Sequence, residues 1–308
     1  MNFIVFPGQG SQKIGMGKEL YDNFVEAKNV FEEVNNAINF NLTKIMWEGS
    51  DAEISLTSNA QPALMACSVA IFRVLQKLTS KELPDLADYI CGHSLGEYTA
   101  MTVAGVFSLE ECSALLRLRG NAMQEAVPIG KGAMAAFIGV DIDITQKILD
   151  EVQIHGICDI GNDNADGQVV ISGDKLAVEK AMEISKDFGV KRAVILPVSA
   201  PFHCRLMLPA KEIMKEALEK INFYSPLVPI VSNTTAVAEN DPDKLKKNLI
   251  DQVTGTVRWR ETMYFAKSLG TKRIIELGSG KILTGIAKRM LENITAFNIE
   301  KSSDFNQF

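Results

Sequence analysis

The sequence has little of what a metal-binding or redox protein usually contains. It has three histidines and five cysteines in 308 residues, and no two cysteines have the C-x-x-C spacing of a zinc or thiol–disulfide motif. The cysteines lie mostly among apolar or small residues, which predicts buried, reduced thiols. We therefore expect no metal site, and a histidine base has only three candidates, His93, His155 and His203.

Positive charge and long apolar runs are also scarce. Asp and Glu number 38 and Lys and Arg 32, which gives a formal net charge of −6. Such a chain lacks the global basic surface of a nucleic-acid-binding protein. The apolar start, Phe3 to Phe6, is short and follows no basic segment. We expect no signal peptide, no membrane span and a cytoplasmic protein.

What the sequence does contain is a repeated alternation of strand and helix patterns. Short apolar runs such as residues 3–6 and 89–91 precede helical segments, which is typical of an α/β protein. Between residues 127 and 198 the order is strand, helix, strand, strand, helix, strand, the pattern of a ferredoxin-like unit. We predict a discontinuous α/β domain of residues 1–126 and 199–308, with a ferredoxin-like α+β subdomain inserted at 127–198.

Two local features are expected at other points of the chain. Asn59-Ala60-Gln61-Pro62 is typical of a helix start, with Pro62 in the first turn, and this helix should continue to about residue 78. The last seven residues, 302–308, should form a frayed tail.

The strongest chemical signal is the segment Gly92-His93-Ser94-Leu95-Gly96. It has the G-x-S-x-G pattern of a nucleophile elbow, of which about 0.09 matches are expected by chance, and it lies between a predicted strand and a predicted helix. Glycines let the chain turn sharply there, so that the serine Oγ is exposed and the next N–H can face an oxyanion. A simple Gly-Ser turn is the alternative. The motif predicts a nucleophile, Ser94, on a hydrolase-like parallel-sheet core.

A serine nucleophile needs a base, and the three histidines differ in position. His93 lies on the strand side of the sharp turn, so its side chain should point away from Ser94. His155 lies at a helix end in the predicted insert. His203 follows a predicted strand where the chain returns to the main domain, and α/β active sites form at the carboxyl ends of strands. We therefore predict that His203 is the base.

The loop after the first strand, Gly8 to Gly15, has two interpretations. A strand followed by G-x-G is similar to a dinucleotide fingerprint, which would indicate a nucleotide-binding oxidoreductase. That interpretation is weak, because the third glycine comes two positions late and Lys13-Ile14 does not form a phosphate loop. Alternatively, the loop lies near Ser94 and supplies a second N–H to an oxyanion.

Four motifs follow one another along the chain: Pro7-Gly8-Gln9-Gly10-Ser11-Gln12, Gly92-His93-Ser94-Leu95-Gly96-Glu97, Leu118-Arg119-Gly120 and Phe202-His203. Their order and spacing resemble those of the malonyl-CoA:acyl carrier protein transacylases, over residues 3–291. The acyltransferase domains of polyketide synthases are relatives of this family. The resemblance implies transfer of a malonyl group from malonyl-CoA to the phosphopantetheine thiol of acyl carrier protein, for fatty acid synthesis. It implies no cofactor beyond these substrates.

The resemblance also implies roles for residues of this sequence. Ser94 would be the acyl-enzyme nucleophile and His203 its base, and the N–H groups of Gln12 and Leu95 would form the oxyanion hole. Gln252 matches a glutamine of the family's active site. In the family, backbone carbonyls rather than an acidic side chain orient the histidine.

Arg119 matches the arginine that holds the free carboxylate of the malonyl group. A buried guanidinium can bind a carboxylate with two parallel hydrogen bonds, and an acetyl group would leave that charge unpaired. From the residues alone, a surface arginine like Arg117 would be the simpler interpretation. In the family, a Phe at the position of Phe202 accompanies malonyl rather than methylmalonyl substrates, and Leu95 is consistent with that. Either residue could also be part of the core.

Two positions depart from the family pattern. Asp166 and Thr256 both stand where the family usually has proline. Thr256 lies near the loop expected to orient the histidine, which calls the rigidity of that loop into question.

Three other functions remain open. A thioesterase or esterase would share Ser94 and His203 without needing Arg119. A non-catalytic carrier-binding module would need none of these residues, and the carrier protein could belong to a polyketide synthase.

We expect a monomer whose partners are acyl carrier protein and malonyl-CoA, with no nucleic acid or membrane. Carrier proteins are acidic, so docking requires a local basic patch. Its candidates are Lys186, Lys191, Arg192, Lys281, Lys288 and Arg289.

Overall fold

The computed structural model describes all residues, 1–308, and contains two β-sheets. The larger sheet consists of β1 (Asn2–Phe6), β2 (Tyr89–Gly92), β7 (Ile230–Val231), β8 (Ala238–Glu239), β9 (Arg273–Leu277) and β10 (Thr295–Ile299). The smaller sheet consists of β3 (Gly132–Ile138), β4 (Cys158–Ala165), β5 (Gln168–Asp174) and β6 (Arg192–Ile195).

Fourteen α-helices connect and cover these strands. They are α1 (Lys18–Asn23), α2 (Val25–Ala37), α3 (Leu42–Glu48), α4 (Asp51–Ser55), α5 (Thr57–Thr79), α6 (Leu83–Leu86), α7 (Leu95–Val103), α8 (Leu109–Glu125), α9 (Ile142–Val152), α10 (Lys175–Ile184), α11 (Leu208–Glu219), α12 (Pro242–Gln252), α13 (Trp259–Ser268) and α14 (Ile282–Met290). Short 3₁₀ helices occur at Gln153–His155, Ser185–Phe188, Arg205–Met207 and Ser302–Gln307.

The larger sheet has the strand order β10-β9-β1-β2-β7-β8 and is parallel except at its β8 edge. In β1, Phe3 and Val5 pack into one apolar cluster, while Ile4 and Phe6 pack into another. Because successive side chains of a strand point to opposite faces, both faces of this sheet are covered. The expected parallel-sheet core is confirmed, and its central strands β1 and β2 end beside the nucleophile motif.

The longest helix, α5, crosses the centre of the larger apolar cluster. The sequence analysis expected no membrane span, but this helix is long and apolar enough to form one. In the structure, 72% of its most apolar stretch is buried inside the fold. The helix begins at Thr57, so Pro62 lies inside it and not in its first turn as expected. Proline leaves the carbonyl of Ser58 without its helical donor, and Arg117 Nη1 donates to that carbonyl at 2.9 Å.

The smaller sheet is antiparallel, with the order β4-β5-β3-β6. Helices α9 and α10 cover one face and enclose a separate apolar cluster that includes Phe137, Ile148, Ile171 and Val178. All four strands lie within residues 132–195, so the chain contains a second, antiparallel sheet inside the segment predicted as an insert.

Strand β4 connects the smaller sheet to the rest of the molecule. The N–H of Val257 donates to the carbonyl of Gly161, and the carbonyl of Val257 accepts from the N–H of Asp163, both at 2.9 Å. The buried carboxylate of Asp163 also accepts two hydrogen bonds from Arg260 Nε, at 2.9 and 3.0 Å. The segment that follows Gln252 is therefore fixed to the edge of the smaller sheet.

The structure corrects the expectation for the C-terminus. Residues Ser302–Gln307 form a 3₁₀ helix rather than a frayed tail, and Phe305 and Phe308 pack against the larger apolar cluster. The preceding strand β10, which the sequence analysis did not identify, extends the larger sheet and brings this segment to its edge. Two aromatic side chains among polar residues thus hold the terminus in place.

Candidate active site

Ser94 lies at the sharp turn between β2 and α7. Its backbone has φ 54° and ψ −112°, a conformation that non-glycine residues rarely adopt. A Cβ atom at Gly92 would lie 2.0 Å from backbone atoms of Gly96, and one at Gly96 would lie 2.4 Å from the carbonyl oxygen of Phe6. Any larger residue at either position would clash with the backbone, so both must be glycine. The turn is a strand–turn–helix elbow, as the motif predicts.

Ser94 and His203 are in direct contact although 109 positions separate them. Ser94 Oγ lies 2.7 Å from His203 Nε2, and His203 Nδ1 lies 2.8 Å from the main-chain carbonyl oxygen of Gln252. A carbonyl oxygen only accepts, so Nδ1 carries the proton and Nε2 is free to accept one from Ser94. His203 is oriented by a backbone carbonyl, as the family resemblance implies.

The environment of His203 favours the neutral imidazole. Burial and the nearby positive charge of Arg119 lower the pKa of His203 to about 3. The ring is therefore unprotonated and able to accept a proton over the whole neutral range.

Arg119 lies inside the protein and not on its surface. Its side chain is 1% exposed, and its guanidinium donates to Gln61 Oε1 at 2.8 Å, to Gln252 Oε1 at 2.9 Å and to Ser94 Oγ at 3.2 Å. Nε has no hydrogen-bond partner in the protein. A buried cation that contacts the serine, with neutral partners, is suited to receive an anionic group.

The position of Arg119 depends on close packing of α8 against α5. A Cβ atom at Gly120 would lie 2.6 Å from Ser58 Cα and 2.7 Å from the carbonyl oxygen of Thr57. Gly120 thus lets helices α8 and α5 pack closely. Because α8 lies this close to α5, the neighbouring Arg119 reaches the site.

Gln252 connects most groups of the site. Its carbonyl oxygen faces His203 and its Oε1 faces Arg119, while Nε2 donates to the Ser94 carbonyl at 2.9 Å and to Glu97 Oε2 at 2.7 Å. Its side chain is fully buried. One glutamine therefore fixes the positions of the nucleophile, the base and the cation relative to one another.

Three site residues had no role in the sequence analysis. Asn233 accepts from the Ser94 N–H and donates to the Gly92 carbonyl, both at 2.7 Å, and so holds the elbow. Glu97 and Gln61 bind Gln252 and Arg119. Glu97 lies in the quoted elbow motif but was given no role, Gln61 was marked only by its polarity within an apolar helix, and Asn233 had no signal in the sequence.

The two expected oxyanion donors lie on different elements. Leu95 is the first residue of α7, where its N–H has no acceptor within the helix. Gln12 lies in the loop after β1, and its side chain closes that loop by accepting from the Gly10 N–H at 2.7 Å. Phe202 is buried, 7% exposed, in the larger apolar cluster beside the histidine.

A cleft of about 150 Å³ lies beside the elbow. It is lined by the loop after β1, by strands β4 and β5 and by the first turns of α14, including Ile282. His93 also lines it, with Nε2 2.9 Å from Asn164 Oδ1, and does not contact Ser94. His155 is exposed on the smaller sheet's side of the molecule. No group of three or more His, Cys, Asp or Glu side chains is placed to hold a metal ion.

The two departures from the family pattern make side-chain hydrogen bonds. Thr256 Oγ1 donates to the Ile160 carbonyl at 2.6 Å, and the Asp166 carboxylate accepts from Tyr264 Oη at 2.6 and 2.7 Å. The loop near the histidine is therefore anchored by a hydroxyl, in addition to the backbone bonds of Val257.

A serine at an elbow, a histidine at hydrogen-bond distance and a buried cation form the arrangement of an enzyme that transfers acyl groups. The comparisons agree: the family model "Acyl transferase domain" matches residues 3–301. The malonyl CoA-acyl carrier protein transacylase of Bacillus subtilis is 42% identical over 93% of this chain and 89% of its own length. The chain therefore belongs to the family of malonyl CoA-acyl carrier protein transacylases.

Solved structures show the same relationship. The acyl-carrier-protein-S-malonyltransferase of Bartonella henselae has a TM-score of 0.97 and 47% identity, over 99% of this chain and 97% of its own. A malonyl-transacylase solved in complex with a type II polyketide synthase acyl-carrier protein has a TM-score of 0.95 and 38% identity, over 99% of this chain and 98% of its own.

Proposed function

We propose that this chain transfers the malonyl group from malonyl-CoA to the phosphopantetheine thiol of acyl carrier protein through an acyl-enzyme on Ser94. The observation that carries the proposal is the position of Arg119, whose buried guanidinium donates to Ser94 Oγ at 3.2 Å. An acyl group on that oxygen has its far end within reach of a cation. A malonyl group carries a carboxylate at that end, and an acetyl group does not.

In the first half-reaction, His203 Nε2 takes the proton of Ser94 Oγ as the oxygen attacks the thioester carbonyl. The carbonyl oxygen becomes an oxyanion, which the N–H groups of Leu95 and Gln12 stabilise. The C–S bond then breaks, and the CoA sulfur leaves with the proton held by His203. The malonyl group is now an ester of Ser94.

In the second half-reaction, His203 takes the proton of the pantetheine thiol as the sulfur attacks the ester. The C–O bond breaks, and Ser94 Oγ recovers the proton from His203. One thioester replaces another, so the balance requires no redox partner and no metal ion. Exclusion of water from the cleft protects the ester from hydrolysis.

Arg119 selects the malonyl group. Two charge-assisted hydrogen bonds from a guanidinium to a carboxylate contribute about 1.5–3 kcal/mol each. An acetyl donor leaves the guanidinium charge without its partner, which adds to the discrimination. Phe202, buried beside His203, limits the room for the additional methyl group of a methylmalonyl substrate.

Acyl carrier protein docks at the mouth of the cleft. All six candidate basic residues are exposed, and Arg289 Nη2 donates to Gln168 Oε1 of the smaller sheet at 3.0 Å, at the edge of the cleft. Alanine at Lys186, Lys191, Arg192, Lys281, Lys288 and Arg289 together should raise the KM for carrier protein and leave hydrolysis of the CoA ester unchanged. A parallel loss of both would contradict this docking surface.

We extend the proposal to the organisation of the chain. The larger sheet with its elbow supports a hydrolase-like domain of residues 1–126 and 199–308, and the antiparallel sheet supports a ferredoxin-like insert at 127–198. We also propose a cytoplasmic monomer. Either a fatty acid or a polyketide carrier protein is compatible with the same site.

The test is intact mass spectrometry after incubation with malonyl-CoA or acetyl-CoA. We expect a malonyl adduct that is absent in Ser94→Ala, with little acetyl adduct. Arg119→Ala should lose the preference for malonyl. Equal labelling by both donors with rapid hydrolysis would indicate a thioesterase instead, and no labelling would indicate a non-catalytic module.

A further inference from the structure

Glu97 is a fully buried carboxylate one helical turn after the nucleophile. It accepts hydrogen bonds from Ser232 Oγ at 2.6 Å, from Gln252 Nε2 at 2.7 Å and from the N–H of Asn233 at 3.2 Å. Glu97 takes part in neither half-reaction, although burial of a carboxylate is costly and is seldom retained without a partner charge.

The amide of Gln252 lies between Glu97 and Arg119. Its Nε2 donates to Glu97 Oε2, and its Oε1 accepts from Arg119 Nη2 at 2.9 Å. An amide placed between an anion and a cation has its dipole aligned with both, so the two charges fix its orientation. Arg119 has no carboxylate within salt-bridge distance, and its direct partners are neutral. The negative charge of Glu97 also acts on Arg119 directly through space, and it opposes the lowering of the Arg119 pKa that burial causes.

We propose that Glu97 is a positioning residue that, from the far side of the Gln252 amide, weakens the hold of Arg119 on the substrate carboxylate. The inference rests on the proposed malonyl transfer. A negative charge behind the cation repels the incoming carboxylate, so the malonyl group is bound firmly enough to be selected and weakly enough to be released.

The hydrogen bonds of Glu97 fit the ionised form. The N–H of Asn233 and Nε2 of Gln252 can only donate, so Oε2 accepts from both, while Oε1 faces the Ser232 hydroxyl, which can donate or accept. We take Glu97 as ionised, the form in which it accepts all three hydrogen bonds. Burial raises the pKa of Glu97, and its three donors and the charge of Arg119 oppose that rise. Two other titratable side chains lie near Glu97: burial and the charge of Glu97 raise the pKa of the Cys91 thiol on β2 and of the Tyr98 hydroxyl on α7, so both are neutral.

Glu97→Gln tests the charge without changing the shape of the side chain. The amide oxygen of the new glutamine can take the place of Glu97 Oε2 and accept from Gln252 and Asn233. The amide nitrogen can take the place of Glu97 Oε1 and donate to the Ser232 hydroxyl, which rotates to accept. We expect the KM for malonyl-CoA to fall about fivefold and the turnover with carrier protein to fall by a similar factor, because the product is released more slowly. The rate of labelling by acetyl-CoA should stay within about twofold of the wild type, because acetyl has no carboxylate for Arg119 to bind.

Ser232→Ala is the matched control, since it removes a hydrogen bond from Glu97 and leaves the charge in place. We expect this variant to keep the wild-type ratio of malonyl to acetyl labelling. In an Arg119→Ala background, Glu97→Gln should no longer change the KM for malonyl-CoA. If Glu97→Gln does not fold, Glu97→Ala also removes the charge and leaves room for water to accept from Gln252 and Asn233. It should lower the KM for malonyl-CoA in the same direction.

A purely structural Glu97 predicts a different result. Labelling by both donors would then fall together, or the KM for malonyl-CoA would rise, and either outcome would overturn the inference. An unchanged KM would overturn it as well. Failure of the proposed function is distinguishable, because the wild-type protein itself would then show no malonyl adduct on Ser94.

Discussion

Ser94 and His203 share an unusual backbone conformation. Both have positive φ, 54° and 58°, although neither is a glycine. Such a residue costs about 1–3 kcal/mol and persists only where its surroundings fix it. At the elbow, Asn233 fixes this conformation through hydrogen bonds to the backbone on both sides of Ser94. The strained conformation directs Oγ and the imidazole toward one another.

The depressed pKa of His203 predicts an unusual pH profile for Ser94 acylation. The base must be neutral, so the rate falls only as the pH drops through the pKa of His203 in the folded protein, about 3. We expect no inflection near pH 6.5 when single-turnover labelling by acetyl-CoA is measured between pH 5 and 8.

Arg119→Ala supplies the control for that profile. Its charge is one of the two main causes of the low pKa, so its removal should move the acid limb upward, toward the ordinary value for histidine. A wild-type inflection near pH 6.5, or an acid limb that does not move in the variant, would contradict this account of the base.

The site also depends on how closely the helices pack. Gly120→Ala places a methyl group within 2.6 Å of the α5 backbone, so α8 must move outward and carry Arg119 with it. We expect a loss of about 1–3 kcal/mol in the free energy of unfolding and a reduced preference for malonyl-CoA. Urea unfolding and mass spectrometry measure the two effects.

Gly285→Ala is the matched control on another helix. Gly285 lies inside α14, where an added Cβ meets nothing within 4 Å. Alanine there should stabilise the protein by about 0.5–1 kcal/mol. Equal destabilisation by both substitutions would show that close packing at Gly120 is not the cause.

The loop after Gln252 depends on one hydroxyl. Thr256→Val removes the bond to the Ile160 carbonyl and should cost about 1–2 kcal/mol of stability. Acylation should slow with an unchanged KM, because Gln252 on the same segment orients His203. Thr256→Ser retains the hydroxyl and should retain the rate, and a slow serine variant would show that the bond is not what matters.

The elements were predictable where local pattern and tertiary packing agree. Strand β2 is a short apolar run, and helix α8 begins with a capping box of Ser108 and Glu111, a pattern that can be read from the sequence. Helix α5 starts earlier than the sequence indicates, because Arg117 from a distant helix satisfies the carbonyl that Pro62 leaves free. Such a compensation between elements has no local signal.

The stability of the whole molecule depends on residues 302–308, although most of these residues are polar. Removal of residues 302–308 exposes the surface covered by Phe305 and Phe308 and should cost about 2 kcal/mol, since both rings are half-buried. The melting temperature should fall accordingly. Phe305→Ala with Phe308→Ala in the full chain should reproduce most of the loss, and an unchanged melting temperature would restore the frayed-tail interpretation.

The motifs indicated which residues belong to the site but not how they are held. Ser94 could be proposed from the sequence because a nucleophile elbow has the recognisable pattern G-x-S-x-G. His203 could be proposed because the chain has only three histidines. Arg119 was identified by resemblance alone, since an arginine in a helix is usually exposed. Glu97, Asn233 and Gln61 could not be placed, because a buried hydrogen-bond network has no period along the chain.

The order of the strands in the larger sheet has a consequence for synthesis on the ribosome. Strand β1 is the first to be made, yet it lies between β2 and β9, whose residues emerge about 270 positions later. The elbow can form early, but Gln252, which supports it, is made 158 positions after Ser94, and the neighbouring strand β9 is made later still. We therefore expect that in a growing chain Ser94 lacks its partners until residues 252–277 have emerged, so that the proposed reactivity toward thioesters begins only then.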